Sequence, residues 1–540
     1  MNSEENIVIS GVAGRFPESD NVKELEKNLF NKIDMVTEDT RRFKNDNPEL
    51  PKRMGKINNI NKFDALFFGI NPNQANAMDP MSRMLMEHAY EAIVDAGINP
   101  STLKGSKTGV FIAACFSETE KICLYEKKWA NNGYGITGCS KAMYANRLSY
   151  WLGLTGPSYT VDSACSSSIV AIENAYRSIK SGQCDAALVG AANLCLHPSL
   201  SYQYTKLGAL SPDGYCKTFD ADANGFVRAE AVGIIYLQKL KNAKRVYGTI
   251  VNCKTNCDGY KEQGITLPSS LMHSNLIREL YDECKVSPND VKYMEAHGTG
   301  TKIGDPQEIM AIDIGLCSNR KEPLIVGSIK TNLGHAESAS GIVSVTKIII
   351  ANETGKIPPN LHFNKAKKGL KAIEEGRIRI ITEAENWNGG YAGVSGLGFG
   401  GSNAHCLIKS NDKEKINNAL PNDDLPRLVM VSGRTEYAVK YILDDIENRP
   451  IDVEFIKLLH DIHADRIDGH LYGGYTILNT INSIEKTLQS NCEKVISRKI
   501  DILPQKKHSV WFVFSGMGSQ WPTMGKSFLL TIFTEAIRKC

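Results

Sequence analysis

Short apolar runs alternate along this chain with stretches whose apolar residues recur every three or four positions. Residues 7–12 (Ile-Val-Ile-Ser-Gly-Val) read as a strand. In residues 81–96, Met84, Leu85, His88, Ala92 and Ile93 share one helical face, and Gly97 ends the helix. Strands are predicted at 109–113 and 158–161. A helix carrying Ile169, Ile172, Tyr176 and Ile179 follows, then strands at 186–190 and 232–237. A second series repeats the pattern: strand 247–251, helix 271–281, strand 291–295, helix 307–316, strand 324–327, helix 341–351, and strands 391–396 and 405–408. Such alternation predicts an α/β protein with largely parallel central strands. Their continuous apolar character predicts sheets covered on both faces. The two series are similar in size, although no residue-level repeat links them.

After Lys409 the pattern lapses. Residues 410–424 are polar and charged and read as a linker. A smaller α/β piece runs from 428 to about 503. Another strand, 510–514, then leads into a Gly-rich turn at 515–521.

Composition narrows the class. A chain of 540 residues accommodates about two to four domains. Apolar content of 42% and charged content of 23% are ordinary for a globular protein, and a net charge of +3 gives no argument for a nucleic-acid partner. No apolar run approaches the ~20 residues of a membrane span. The opening Met-Asn-Ser-Glu-Glu-Asn has neither a basic nor an apolar signal region. Fourteen scattered cysteines then read as reduced thiols in the cytoplasm. Cys253 and Cys257 lack a matching second pair, so no metal site is expected.

The candidate chemistry centres on Asp162-Ser163-Ala164-Cys165-Ser166-Ser167-Ser168. Cys165 falls on a sharp turn between strand and helix, with the three serines placed to cap the helix. A thiol at the positive end of a helix is expected to have a lowered pKa. Two histidines occupy matching strand-end loops: Glu295-Ala296-His297-Gly298-Thr299-Gly300-Thr301 and Lys330-Thr331-Asn332-Leu333-Gly334-His335. Strand ends facing a crevice are where α/β folds place chemistry. A loop at 395–403, Ser-Gly-Leu-Gly-Phe-Gly-Gly-Ser-Asn, could aim backbone N–H groups at an oxyanion, with Phe399 over the nucleophile. A Cys/His hydrolase would need only Cys165 and His297, leaving His335 and Lys330 without a task.

Taken together, these runs, with Gly11-Val12-Ala13-Gly14-Arg15-Phe16-Pro17 and Met78-Asp79-Pro80, give residues 4–409 a specific resemblance. The chain resembles a β-ketoacyl synthase of the thiolase-like superfamily, in particular that of animal, insect-like type I fatty acid synthase. The resemblance implies two similar α/β halves layered α-β-α-β-α, roughly 1–245 and 246–409, within a synthase domain of residues 1–409. A small α/β linker domain at 410–505 and the start of a malonyl/acetyl transferase at 506–540 would follow. That transferase beyond its first residues, the reductases, dehydratase, carrier protein and thioesterase are expected to be absent.

The resemblance also implies a reaction, a decarboxylative Claisen condensation in fatty acid biosynthesis. Cys165 would carry the acyl group, and His297 and His335 would bind the malonyl thioester carbonyl. Lys330 would support the His335 loop, Phe399 would gate the nucleophile, and Thr299 and Thr301 would bind the pantetheine arm. No cofactor is expected on this chain, since the substrates ride on the phosphopantetheine of an acyl carrier protein. A homodimer is implied. Gly396 and Leu397 stand where the family usually has serine and an aromatic residue, a change expected to alter packing beside the site. A polyketide synthase ketosynthase and a truncated non-catalytic module are the alternatives.

Overall fold

The computed structural model describes residues 3–44, 47–126, 133–318, 320–411, 425–479 and 494–504. The strand and turn expected at 510–521, and residues 412–424 of the linker, lie outside the described residues.

Eleven strands make one hydrogen-bonded sheet: β1 (Ile7–Arg15), β2 (Thr108–Ala113), β3 (Ser158–Val161), β4 (Ala186–Asn193), β5 (Ala231–Lys239), β6 (Gly248–Cys257), β7 (Val291–Glu295), β8 (Leu324–Gly327), β9 (Ile378–Ile380), β10 (Tyr391–Leu397) and β11 (Ser402–Ser410). Their order is β9-β8-β7-β10-β11-β6-β1-β5-β4-β2-β3. The order exposes a duplication that the residues hide. Numbered from its own first strand, and setting the edge strand β9 aside, each half runs 3-2-4-5-1. The halves join where β1 pairs with β6 through Ile7↔Ile250.

In each half four strands run parallel and one, β5 or β11, runs against them, in keeping with the largely parallel sheet that the alternation predicts. The short connection between β10 and β11, residues 398–401, accounts for one such reversal: it can only make a hairpin.

Helices that frame the sheet and a small domain include α1 (Pro80–Asp95), α2 (Ser167–Lys180), α3 (Ser270–Cys284), α4 (Gly304–Ile312), α5 (Ser340–Thr354), α6 (Glu436–Asn448) and α7 (Val453–His463). Helices α2 and α5 contact strands of both halves and share one core with them, including Ile169, Ile172, Ile235, Ile342, Val345 and Val394. Isoleucine and valine cover nearly every side of α5, as a helix buried all round requires. Helix α1 covers the outer face of the first half, and α3 and α4 that of the second. The result is the five-layered α-β-α-β-α thiolase-like arrangement.

A separate sheet, β12 (Arg427–Gly433), β13 (Tyr472–Leu478) and β14 (Val495–Ile502), packs with α6 and α7 around Val429, Val431, Val439 and Leu443. Arg434 ties this small domain to the body through Asp64, 2.7 Å away. Among the described residues, no helix is long and apolar enough to cross a membrane.

Candidate active site

The turn after β3 is tighter than a simple strand-to-helix join. Ala164 has a φ of 56°, in the left-handed region, which throws Cys165 out ahead of α2. The serines hold this turn but do not cap α2. The Ser166 hydroxyl donates to the Ser163 carbonyl at 2.8 Å, and the Ser167 hydroxyl accepts the Ser163 N–H at 2.8 Å. Ser168 instead accepts the N–H groups of Gly341 and Ile342, at 2.9 and 3.2 Å, and so caps α5. The two central helices therefore meet N-terminus to N-terminus beside the thiol, and Ser340 donates to the Cys165 carbonyl at 3.1 Å.

His335 follows β8 and a single helical turn, Lys330–Leu333. Its backbone is pinned by the Val227 carbonyl at 2.7 Å and the Ala229 N–H at 2.9 Å. Its Nε2 lies 3.1 Å from the Cys165 sulfur. His297 follows β7, and its ring stands nearly perpendicular to that of His335 with centroids 5.4 Å apart. Gly298 has a φ of 47°, and a Cβ there would lie 2.7 Å from both Ser328 and Thr218, so only glycine lets the His297 loop fold down. Cys165, His297, His335, Thr299, Thr301, Leu397 and Phe399 line one cavity of about 380 Å³. Lys330 does not line it. It is buried behind the two histidines at 2% exposure, rather than solvated at a strand end.

Electrostatics correct one expectation. Burial pushes the Cys165 thiol up to about 12, and Glu337 adds to the rise; Lys330 and the backbone N–H groups of Phe399 and Cys165 oppose it. The helix end is real, but desolvation outweighs it. Burial also drives both histidines well below their ordinary value, and the Lys330 ammonium pushes them further, so both rings are neutral at pH 7. The sulfur is thus a thiol next to a neutral imidazole able to take its proton. The Nδ1 atoms of His297 and His335 are buried with no protein partner among the described residues.

Several carboxylates that build this site escaped the sequence reading. Glu308 accepts the N–H groups of His297 and Gly298 at 2.6 and 2.7 Å. Asp305 accepts those of Gly300 and Phe219 at 3.0 and 2.6 Å. Glu295 accepts the Ile329 N–H at 2.6 Å and pairs with the fully buried Lys347 at 3.0 Å. Glu337 lines the cavity and binds Arg228 at 2.6 Å. A signal was present: Gly-Asp-Pro-Gln-Glu at 304–308 opens a helix directly after the glycine loop, and acids at a first turn meet free N–H groups.

Family models for the β-ketoacyl synthase N-terminal domain, its C-terminal domain and the ketoacyl-synthetase C-terminal extension match residues 4–243, 247–364 and 367–477. A fatty acid synthase of Anser anser anser is 50% identical over 351 residues, 65% of this chain and 99% of that sequence. The chain belongs to the β-ketoacyl synthase family.

Among more distant relatives of this ketosynthase, a phenolphthiocerol/phthiocerol polyketide synthase subunit of Mycobacterium tuberculosis is 36% identical over 87% of the chain, which spans 26% of that protein. Solved ketosynthases align along most of the fold. The oxazolomycin ketosynthase domain of Streptomyces albus superposes with a TM-score of 0.79 at 27% identity, covering 89% of this chain and 88% of that one. A bacillaene-synthase ketosynthase of Bacillus subtilis gives 0.78 at 29%, covering 99% and 91%.

The two departures in the glycine loop fall where packing is close. A Cβ on Gly396 would stand 3.0 Å from Ile169 and 3.3 Å from the Ser166 Cα, and Leu397 is a buried wall of the cavity. Phe399 is half exposed at the mouth.

Proposed function

We propose that this ketosynthase performs the decarboxylative condensation of fatty acid synthesis, joining an acyl group held on Cys165 to malonyl on an acyl carrier protein. The observation that carries this reading is the triad: a thiol 3.1 Å from one neutral histidine, with a second histidine ring against the first, in one cavity. Hydrolysis has no use for the second ring.

The first half-reaction loads the thiol. His335 takes the Cys165 proton as sulfur attacks the acyl thioester, and the N–H groups of Cys165 and Phe399 hold the oxyanion. The carbon–sulfur bond to pantetheine breaks, and His335, a poor keeper of protons at this depth, passes the proton to the departing thiolate. In the second half malonyl enters. His297 and His335 donate N–H to its thioester carbonyl, carbon dioxide leaves, and the resulting carbanion attacks the acyl–Cys165 carbonyl. A carbon–carbon bond forms, the carbon–sulfur bond to Cys165 breaks, and the departing thiolate takes up a proton from solvent. Among the described residues nothing pins either Nδ1, which supports one ring acting as acceptor in the first half and donor in the second. Thr299 and Thr301, with hydroxyls 3.3 Å apart on the cavity wall, suit the pantetheine amides.

Fatty acid rather than polyketide synthesis is favoured by 50% identity to the goose synthase against 36% to the mycobacterial one. In this reading residues 1–409 are the condensing domain, 410–505 the linker domain and 506–540 the opening of an acyltransferase; the chain works as a homodimer in the cytoplasm and needs no cofactor of its own. Incubation with labelled malonyl-carrier protein and an acyl donor tests it. The expected product is a saturated-chain β-ketoacyl-carrier thioester with labelled carbon dioxide released. Acyl hydrolysis without extension would overturn the reading.

A further inference from the structure

A second, smaller cavity adjoins the first and has no task in the reaction. It measures about 40 Å³, room for about three water molecules. Five cations line it, Arg42, Lys52, Arg53, Lys56 and Arg228, against one acid, Asp39. Most of these cations are already paired. Glu230 occupies the planar fork of Arg42, with Nε and Nη2 at 2.7 and 2.6 Å. Asp34 pairs with Arg53 and Glu337 with Arg228, each at 2.6 Å. Lys52 is exposed, so the cavity is reachable from solvent.

The pairs leave particular donors over. The Arg42 side chain is only 7% exposed, yet among the described residues its Nη1 has no hydrogen-bond partner. Buried Lys56 donates to the Thr37 carbonyl at 3.0 Å and stands 3.3 Å from Asp39, which leaves its third N–H. Burial pulls the Lys56 ammonium below its ordinary value, and Asp39 only partly opposes this. Arg228 gives Nη1 to the Ser201 hydroxyl at 3.1 Å, so that hydroxyl keeps its own proton to donate. The Arg228 Nη2 is buried with no protein partner among the described residues. Ser201 also lines the cavity. Buried donors without acceptors are rare in folded proteins and call for an occupant.

We propose that this cavity binds a small tetrahedral oxyanion of the phosphate class, held by Arg42 Nη1, Lys56 Nζ and the Ser201 hydroxyl. These donors belong to three separate side chains, and the fork that would match a carboxylate is taken by Glu230. Such a set suits the diverging oxygens of phosphate better than the two coplanar oxygens of a carboxylate. Phe226 is a wall of both cavities, and its ring meets that of His335 edge-on with centroids 5.2 Å apart. Val227, also in the lining, holds the His335 N–H through its carbonyl. The bound anion thus adjoins the strip that carries His335 without entering the cavity of Cys165. The site stands independently of the condensation reading.

Isothermal titration of the full chain with inorganic phosphate, in chloride buffer at constant ionic strength, tests it. The wild type is expected to bind about one equivalent, saturably. Lys56→Met and Ser201→Ala are each expected to weaken binding by about tenfold, as loss of a hydrogen bond to a charged group does. Circular dichroism checks that each variant is folded, and loss in either folded variant supports the seat. No saturable binding by the wild type, or unchanged affinity in both variants, overturns it. Weakening in His297→Ala alone places the phosphate beside Cys165 and also overturns it. Sulfate is expected to compete with phosphate and acetate is not. Competition by acetate as strong as that by sulfate overturns the tetrahedral assignment. Glycerol 3-phosphate separates free phosphate from the end of a larger molecule. The size of the cavity predicts that it binds about tenfold more weakly than phosphate. Equal or tighter binding supports the same oxyanion chemistry with a phosphomonoester as its source.

Discussion

The side chain that decides the chemistry is a thiol held protonated by its surroundings. Cys165 is nine-tenths buried with its value pushed up to about 12, so attack depends on proton transfer to His335 and not on a standing thiolate. Cys165→Ala is therefore expected to abolish acyl-enzyme and condensation alike while leaving circular dichroism and melting unchanged. Condensation by the purified variant would sink the assignment. His335→Ala is expected to lower carbon dioxide release from malonyl thioester by at least about 100-fold, as loss of a positioned donor does. A positioning role falls to Glu308, whose carboxyl is raised to about 7 mainly by burial. Above that pH it is ionised and holds both loop N–H groups firmly; below it, a proton occupies one oxygen. Malonyl decarboxylation should show an inflection near pH 7 that disappears in Glu308→Gln. A profile identical to wild type would remove Glu308 from that role.

At the scale of elements, the site is where two hairpin-like returns and two helix ends converge. Gly398, at the start of the β10–β11 turn, leaves no room for a side chain: a Cβ would stand 2.5 Å from the Ser163 carbonyl. Gly398→Ala should push the Phe399 N–H away from the sulfur and slow acylation about tenfold or more, with decarboxylation less affected. Equal loss in both half-reactions would point to general disorder of the site instead. The strand-end loops were legible in the sequence because glycine, histidine and β-branched runs mark them locally. Local signals explain why the helices α1, α3 and α5 lie within a few residues of their predicted bounds. The meeting of α2 with α5 was not legible. The Ser168–Gly341 contact joins positions 173 apart, and no periodicity within either helix encodes a partner that distant. For the same reason the expected lowering of the Cys165 value failed: the helix end is local, but burial is a property of the assembled halves. The helix at Ala142–Leu152 went unseen because Tyr, Trp and Asn dilute its apolar stripe.

At the scale of the molecule, the duplicated sheet and the small domain each enclose histidines that must stay neutral. In the body, Ser395 bridges His273 and His405, both at 2.9 Å, with Tyr281 beyond. At the join between domains, Tyr90 meets His470 at 2.9 Å, and Ser432 meets His470 and His463 at 2.8 and 3.1 Å. Burial lowers His273, His463 and His470 from 6.5 to about 4 and His405 to about 3. The sign is set by proton counting. Between pH 6.5 and 4 the unfolded chain binds protons at these rings and the folded one does not, so stability rises with pH across that window. The stability they contribute is complete above about 6.5 and is lost as pH falls toward 4, at about 3 kcal/mol for each ring with a value near 4. Carboxylates also weaken in acid, so the histidine share is isolated by difference. His273→Gln and His470→Gln should each cost stability at pH 7.5, and that cost should shrink as the pH approaches 4.5, because the glutamine has no proton to take up. Urea unfolding of wild type and variants at the two pH values measures it. A cost that stays constant between them would mean that these rings take up protons alike in the folded and unfolded chains, and that acid loosens this molecule through its carboxylates alone.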